Sequence, residues 1–247
     1  MARGKSLTRL YIPDDIPAHG IFDAPADQAH HVAHVLRLTA GDALTVFDGR
    51  GQEYPAVIER TSKSAVTLRV SEPSVVDRES PLAVTLAQGI SSGERMDYTV
   101  QKSVELGVHA IQPLSVERSI VRLSAERAAK RVAHWQAVAV AACEQCGRNR
   151  VPLVMPVRSL TSWLADVGAD ALRLTLSPDA ASTLRELERP AGQIVLLVGP
   201  EGGLSPREIE IANASAFKPL RLGPRVLRTE TAALAALAAM QAVWGDF

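Results

Sequence analysis

Residues 193–210 read QIVLLVGPEGGLSPREIE, and the order of parts in this stretch decides the fold class. Ile194 to Val198 form an unbroken apolar run, as a strand buried on both faces requires. A glycine-rich turn follows, then a helix whose start is clearly marked. Ser205 is the N-cap, Pro206 takes the first helical position and Glu208 completes an S-x-x-E capping box. Strand, turn and helix in that order predict one unit of a mostly parallel α/β sheet.

The same alternation extends outward over the second part of the chain. Strands are expected at residues 82–88, 109–113, 172–176, 194–198 and 219–222, and helices at 94–106, 124–146, near 180–187, 206–214 and 230–244. The helix at 124–146 sets Ala128, Val132, Trp135, Ala139 and Ala142 on one face and stops at Gly147. The first 75 residues have another rhythm. Short β-rich segments at 9–12, 43–47, 54–60 and 65–70 are broken by one helical stretch, 25–38, and DGRG at 48–51 marks a turn between two of them. That pattern suggests a small β-barrel. SEPSVVDRESP, residues 71–81, has linker composition, so the domains are placed at 1–75 and 76–247.

Composition narrows the class further. The chain has 247 residues, 47% hydrophobic and 22% charged, which excludes disorder as its main state. Its longest apolar run, residues 232–240, is far short of the roughly 20 residues of a membrane helix. No apolar stretch of a secretory signal follows the N-terminus, and two cysteines make no disulfide framework. A soluble, cytoplasmic protein without a membrane partner is expected. The 27 basic and 27 acidic residues cancel, yet cations cluster locally. Arg3, Lys5 and Arg9 stand without an acid near the N-terminus, and Arg118, Arg122, Arg127, Lys130, Arg131, Arg148 and Arg150 outnumber Glu117, Glu126 and Glu144. Such a run is either a solvated helix face or a patch that neutralises phosphates.

A glycine turn at the carboxyl end of a parallel strand is where α/β proteins hold ligands. VGPEGG fails as a phosphate-binding loop, because no Lys-Ser/Thr follows, GxGxxG spacing is absent and Pro200 removes an amide. It suits an uncharged or cationic small molecule held by backbone, or is a tight turn alone. A second glycine turn, RLGPRVLRTETAALAAL at 221–237, brings Arg228 and Glu230 to the start of an Ala-rich helix. Two such turns after successive strands can line one pocket, Arg offering a fork of donors and Glu an acceptor or base. Cys143-x-x-Cys146 lies mid-helix without a second pair, so no metal is expected. His30, His31 and His34 imitate H-E-x-x-H without its Glu and are assigned to a helix surface.

Five stretches occur in order: HHVAHVLRLTAGDALTVFDGRGQEY, ERMDYTVQKSVELGV, ACEQCGRNRVP, LLVGPEGGLSPREIE and LGPRVLRTETAAL. Together they resemble the RsmE family of ribosomal RNA methyltransferases, a branch of the SPOUT (trefoil-knot) superfamily, over nearly the whole chain. The resemblance implies a PUA-like RNA-binding barrel followed by a SPOUT α/β domain with a C-terminal trefoil knot. It implies a homodimer that uses S-adenosylmethionine to methylate N3 of a uridine near the 3′ end of 16S ribosomal RNA in the small subunit, with no role for DNA. Carried onto this sequence, it gives a cofactor pocket of Leu176, Val198, Gly199, Glu201, Gly203, Leu222, Gly223, Leu227, Thr231 and Ala232. RNA contacts would come from Arg9, Arg37, Arg148, Asn149 and Arg150.

Uridine N3 carries a proton at neutral pH, so a carboxylate base and a cation for the resulting oxyanion are expected. Glu230 or Glu201 is the candidate base, and Arg228 the stabiliser. The rival readings are a SPOUT enzyme acting on another RNA position and a non-catalytic ribosome-assembly factor that binds RNA.

Overall fold

A computed structural model describes residues 8–62 and 65–247. Arg3 and Lys5 of the N-terminal basic cluster lie outside these residues. Contacts divide the chain into two compact units: Met1–Glu79 with Cys143–Val151, and Ser80–Ala142 with Pro152–Phe247.

The first unit is built on strands β1 (Thr8–Tyr11), β2 (Gly20–Asp23), β3 (Ala43–Phe47), β4 (Glu53–Thr61) and β5 (Val66–Val70), with helix α1 (Ala26–His30) between β2 and β3. Their order across the sheet is β1-β3-β4-β5-β2, with β1 parallel to β3 and the other pairs antiparallel. Among the described residues the ladders leave β1 and β2 as the two ends of this path. The DGRG turn forms because Asp48 Oδ1 accepts from the amides of Arg50, Gly51 and Gln52 at 2.8–3.1 Å. Leu10, Val32, Val46, Ile58 and Leu68 fill the core. The expected helix at 25–38 is α1 followed by a π-helical turn, His31–Leu36, that ends where Arg37 takes φ 55°. Strand β2 was not expected, because its four residues GIFD offer only Phe22 to the core.

An ion network ties residues 143–151 to this sheet. Arg9 and Arg78 both donate to Glu53 Oε2, at 2.7 and 2.9 Å. Burial would raise the Glu53 pKa, but these two guanidinium groups hold it below the usual carboxylate value. Arg148 grips Glu79 through Nε and Nη2, and Arg9 reaches the side chain of Asn149, which in turn donates to the Val76 carbonyl. Arg9 also lies over the Phe47 ring, 4.8 Å from its centroid.

The second unit is a parallel sheet with helices. Its elements are β6 (Val84–Gly89), α2 (Glu94–Glu105), β7 (Ala110–Ser115), α3 (Ala125–Cys146), β8 (Leu153–Val154), β9 (Arg158–Ser159), α4 (Leu160–Leu164), β10 (Leu172–Leu176), β11 (Ile194–Val198), α5 (Pro206–Ala214), β12 (Lys218–Leu220) and α6 (Thr229–Trp244). The last residues of α3 count with the first unit. Sheet order is β12-β10-β11-β6-β7-β8, with β9 also on β7, and every pair is parallel. All five residues of β11 are buried, as its unbroken apolar run requires. Val195 and Leu197 pack with Leu160, Trp163 and Ala212 of α4 and α5, while α6 touches β11 and α2. The capping box of α5 is present: Ser205 Oγ accepts from the Glu208 amide at 3.2 Å, and Glu208 Oε2 from the Ser205 amide at 2.9 Å. The helix expected near 180–187 is a single 3-10 turn, Leu184–Glu186. Thr183 and Glu186 close their own capping box there, and Thr183 bridges to Arg221. No helix among the described residues is long and apolar enough to cross a membrane.

The Arg148 side chain is 7% exposed and donates to Glu79 through both Nε and Nη2, so removing the carboxylate breaks a buried ion pair. Glu79→Ala is expected to lower unfolding free energy by about 3 kcal/mol or more in urea denaturation. Glu126→Ala, at the exposed pair with Lys130, is expected to leave the midpoint unchanged.

Candidate active site

Parallel strands put all their carboxyl ends on one edge of the second unit's sheet. Leu176 pairs with Leu220, Thr175 with Leu197, and Val198 with Gln88, so β10, β12, β11 and β6 end side by side. Of the expected cofactor residues, Leu176 and Val198 are the last residues of β10 and β11. Gly199, Glu201 and Gly203 form the turn after β11, Leu222, Gly223 and Leu227 lie between β12 and α6, and Thr231 and Ala232 stand in the first turn of α6. The chain thus gathers these positions along one sheet edge.

The two glycine turns are joined by a buried hydroxyl. Thr229 Oγ1 donates to the Gly199 carbonyl at 2.5 Å and accepts from Gln88 Nε2 at 2.9 Å. Gln88 is wholly buried and also donates to the Gly89 carbonyl at 3.0 Å, while its Oε1 has no partner among the described residues. The backbone here is packed too closely for side chains. A Cβ on Gly89 would meet the Pro200 nitrogen at 2.7 Å, and one on Gly199 would meet backbone of Gly203 and Leu204 at 2.9 Å.

Thr229 opens α6, whose N-cap Arg228 makes no side-chain cap. Arg228 is exposed and has no acidic partner among the described residues. Glu230 sits in the first turn, where the helix dipole favours a negative charge. Its Oε2 is buried and has no hydrogen-bond partner among the described residues.

The other candidate carboxylate is occupied. Glu201 Oε1 accepts from the Ser92 amide at 2.9 Å, the Ser92 hydroxyl at 2.8 Å and Arg95 Nη1 at 2.8 Å. Burial alone would raise its pKa. The Ser92 and Glu201 amides, with Arg95 and the Ser92 hydroxyl, outweigh that and hold it at about 2. Glu201 therefore fastens the 199–203 turn to the start of α2 and has little basicity to offer. Gln88, Ser92, Arg95 and Thr229 escaped the sequence reading. The signal was AQGISSGER, a third Gly/Ser turn at a strand end.

In the first unit, Arg37 and Arg150 are exposed. Arg9 and Arg148 face inward, their side chains 10% and 7% exposed within the ion network, and Asn149 is buried with them. Burial pushes the Cys143 thiol up to about 12, far from the thiolate that redox chemistry needs.

Residues 78–241 match the RNA methyltransferase domain family, and residues 25–71 the RNA methyltransferase PUA domain family. Ribosomal RNA small subunit methyltransferase E of Buchnera aphidicola is 32% identical over 245 residues, covering 99% of this chain and 97% of that protein. The chain belongs to the ribosomal RNA small subunit methyltransferase E family. Two solved structures are similar throughout. A family member from Neisseria gonorrhoeae bound to S-adenosyl methionine has 43% identity and a TM-score of 0.92, covering 98% of this chain and 99% of its own. A structure from Legionella pneumophila with bound cofactor SAM has 41% identity and a TM-score of 0.94, with the same coverage. The resemblance carried by the five sequence motifs thus holds at family level.

Two outcomes follow from the geometry. Thr229→Val leaves the Gly199 carbonyl with only the long 3.4 Å bond from Gln88 Nε2 and is expected to cost about 1–3 kcal/mol in chemical denaturation, with Thr229→Ser recovering most of it. The depressed pKa of Glu201 means its tether contributes fully above the ordinary value of 4.5 and is lost as pH falls toward about 2. The melting-temperature difference between wild type and Glu201→Gln should be level down to about pH 4.5 and shrink below it; a difference that changes between about pH 6 and 8 contradicts this.

Proposed function

We propose that this protein methylates N3 of a uridine in the 16S ribosomal RNA of the small subunit, using S-adenosylmethionine. The single observation that carries the reading is the pairing of a backbone cradle at 199–203 with Arg228 and a ready acceptor on Glu230, locked together through Thr229. Family membership supports the same assignment.

The residues present fit the cofactor. The turn offers backbone without side chains at Gly199, Gly202 and Gly203, and Gly203 and Gly223 take positive φ of 68° and 115°, so no side chain at these positions would stand between the backbone and an uncharged ring. Leu176, Val198, Leu222 and Leu227 would give the apolar lining, with Thr231 and Ala232 closing the helix side. When bound, S-adenosylmethionine supplies a methyl group already activated on its sulfonium.

The chain must then make N3 nucleophilic. Glu230 accepts the N3 proton onto its carboxylate, which leaves the lone pair on N3 and negative charge spread to the adjacent carbonyl oxygens. Arg228 holds that charge. Glu201, bound to Ser92 and Arg95, keeps the cradle's shape instead of acting as base. Because N3 is on the Watson–Crick edge, the target base must be unpaired when it is read.

The first unit is the RNA-binding module of this reading, a PUA-like barrel, with Arg37 and Arg150 as its outward cations and Arg9, Arg148 and Asn149 shaping their support. The second is a SPOUT domain whose C-terminal segment is knotted, and it works as a homodimer in the cytoplasm. Sedimentation at micromolar concentration should give a dimer; a monomer alone contradicts that part.

The direct test is transfer of labelled methyl from S-adenosylmethionine to unmodified small subunits, followed by mapping of the nucleotide. Label is expected at N3 of one 16S uridine; label elsewhere points to another RNA position, and cofactor binding without transfer to a non-catalytic binder. Glu230→Gln and Arg228→Ala are each expected to lower kcat by about a hundredfold or more with cofactor affinity retained. Glu201→Gln should lose cofactor affinity before it loses kcat.

A further inference from the structure

The loop between β7 and α3, residues 116–124, is fixed by buried bonds and turns its charges outward. The Glu117 amide donates to Oε1 of buried Glu208 at 2.8 Å, the same carboxylate that caps α5. Ser119, itself buried, donates through its hydroxyl to the Ile90 carbonyl at 2.6 Å. The loop backbone lies against the cofactor turn: a Cβ on Gly202 would meet the Arg118 carbonyl oxygen at 3.0 Å, and Arg118 Nη1 donates to the Gly202 carbonyl at 3.4 Å. Arg122 Nη2 donates to the Glu117 carbonyl at 3.2 Å, which sets its direction.

Arg118 and Arg122 are exposed, and neither has an acidic partner among the described residues. Ile120 between them is 72% exposed. A surface arginine ordinarily swings in solvent and gains little from any one partner. Here the backbone beneath two like charges is pinned by Glu208 and the Ser119 hydroxyl, and one guanidinium rests on the turn that also carries Glu201. A rigid pair of guanidinium forks beside an exposed aliphatic side chain suits a sugar–phosphate backbone, which offers oxygens in matching pairs and an apolar sugar face.

We propose that Arg118 and Arg122 clamp the RNA backbone next to the nucleotide being methylated, with Ile120 against its sugar or base. This rests on the functional reading above for the identity of the RNA. The clamp would be a substrate-positioning element on the catalytic unit itself, separate from the arginines of the first unit. Its contact with Gly202 makes the position of the RNA depend on the same turn that holds the cofactor.

The test uses full-length protein carrying Arg118→Gln with Arg122→Gln, the corresponding double Lys variant, and Lys218→Gln as a control at the opposite, amino-terminal edge of the sheet. Binding to unmodified small subunits is measured by filter retention from about 50 to about 300 mM KCl. The double Gln variant should lose about 1.5 from the slope of log affinity against log salt, since each phosphate contact contributes roughly 0.7–0.9. The double Lys variant should keep most of the slope, because a phosphate contact needs only the charge. Lys218→Gln should keep all of it. S-adenosylmethionine affinity by calorimetry should match wild type in every variant, and KM for subunits should rise about tenfold with kcat little changed. An unchanged slope and KM in the double Gln variant overturns the clamp, as does an equal loss in Lys218→Gln. Methyl transfer by wild type in the same samples judges the functional reading separately. Wild type that binds subunits without transferring methyl overturns that reading, while the slope still decides the clamp.

Discussion

One buried hydroxyl joins the turns at the carboxyl-terminal edge of the second unit's sheet. Hydrogen-bonded ladders fix where β6, β11 and β12 end, but they set nothing about the turns beyond. Those turns contain backbone carbonyls that must find donors once water is excluded. Thr229 satisfies Gly199, and Gln88 satisfies Thr229 and Gly89, so three segments separated by 30 to 141 residues in the chain meet at one point. Their glycines are the geometric counterpart of this bond: at Gly89 and Gly199 any side chain would occupy space already filled by backbone. Arg228 and Glu230 flank Thr229 directly, and so inherit their positions from it.

The first unit solves a similar problem with charge. The buried guanidinium groups of Arg9 and Arg148, with the exposed one of Arg78, meet the carboxylates of Glu53 and Glu79. Such pairs contribute little net stability when complete, yet breaking one is costly, so they favour one arrangement over its neighbours. Each unit therefore uses a few buried polar contacts between distant segments to specify what its apolar core leaves open.

Legibility in the sequence follows the range of the interactions. Strands 43–47, 172–176 and 194–198 and helix 206–214 stand at the expected residues, because a bounded apolar run or a capping box is a local signal. Strands β8 and β9 have two residues each and carry no periodicity, and the stretch at 180–187 was drawn into one turn by Thr183 and its contact with Arg221. Arg228, Glu230 and Glu201 were recognisable as candidate groups from their motifs. The difference between the two carboxylates was not, since Glu201 is neutralised by Ser92 and Arg95, more than a hundred residues earlier. The same holds for Arg9 and Arg148, which the sequence shows as cations and only the fold shows as buried.

The membership of residues 143–151 in the first unit has a consequence for synthesis. Arg9 reaches the Arg148 carbonyl across 139 residues, and Glu79 finds its counter-ion 69 residues downstream. A ribosome making this chain releases β1 to β5 and Glu79 well before Arg148, the counter-ion of Glu79. The N-terminal sheet must wait, incompletely paired, while β6, α2, β7 and most of α3 emerge. Folding of this protein is consequently not the completion of one domain and then the next. The first unit to begin is finished only after the second has been started, and a cut at the apparent boundary near residue 79 would separate Glu79 from Arg148 and Arg9 from Asn149.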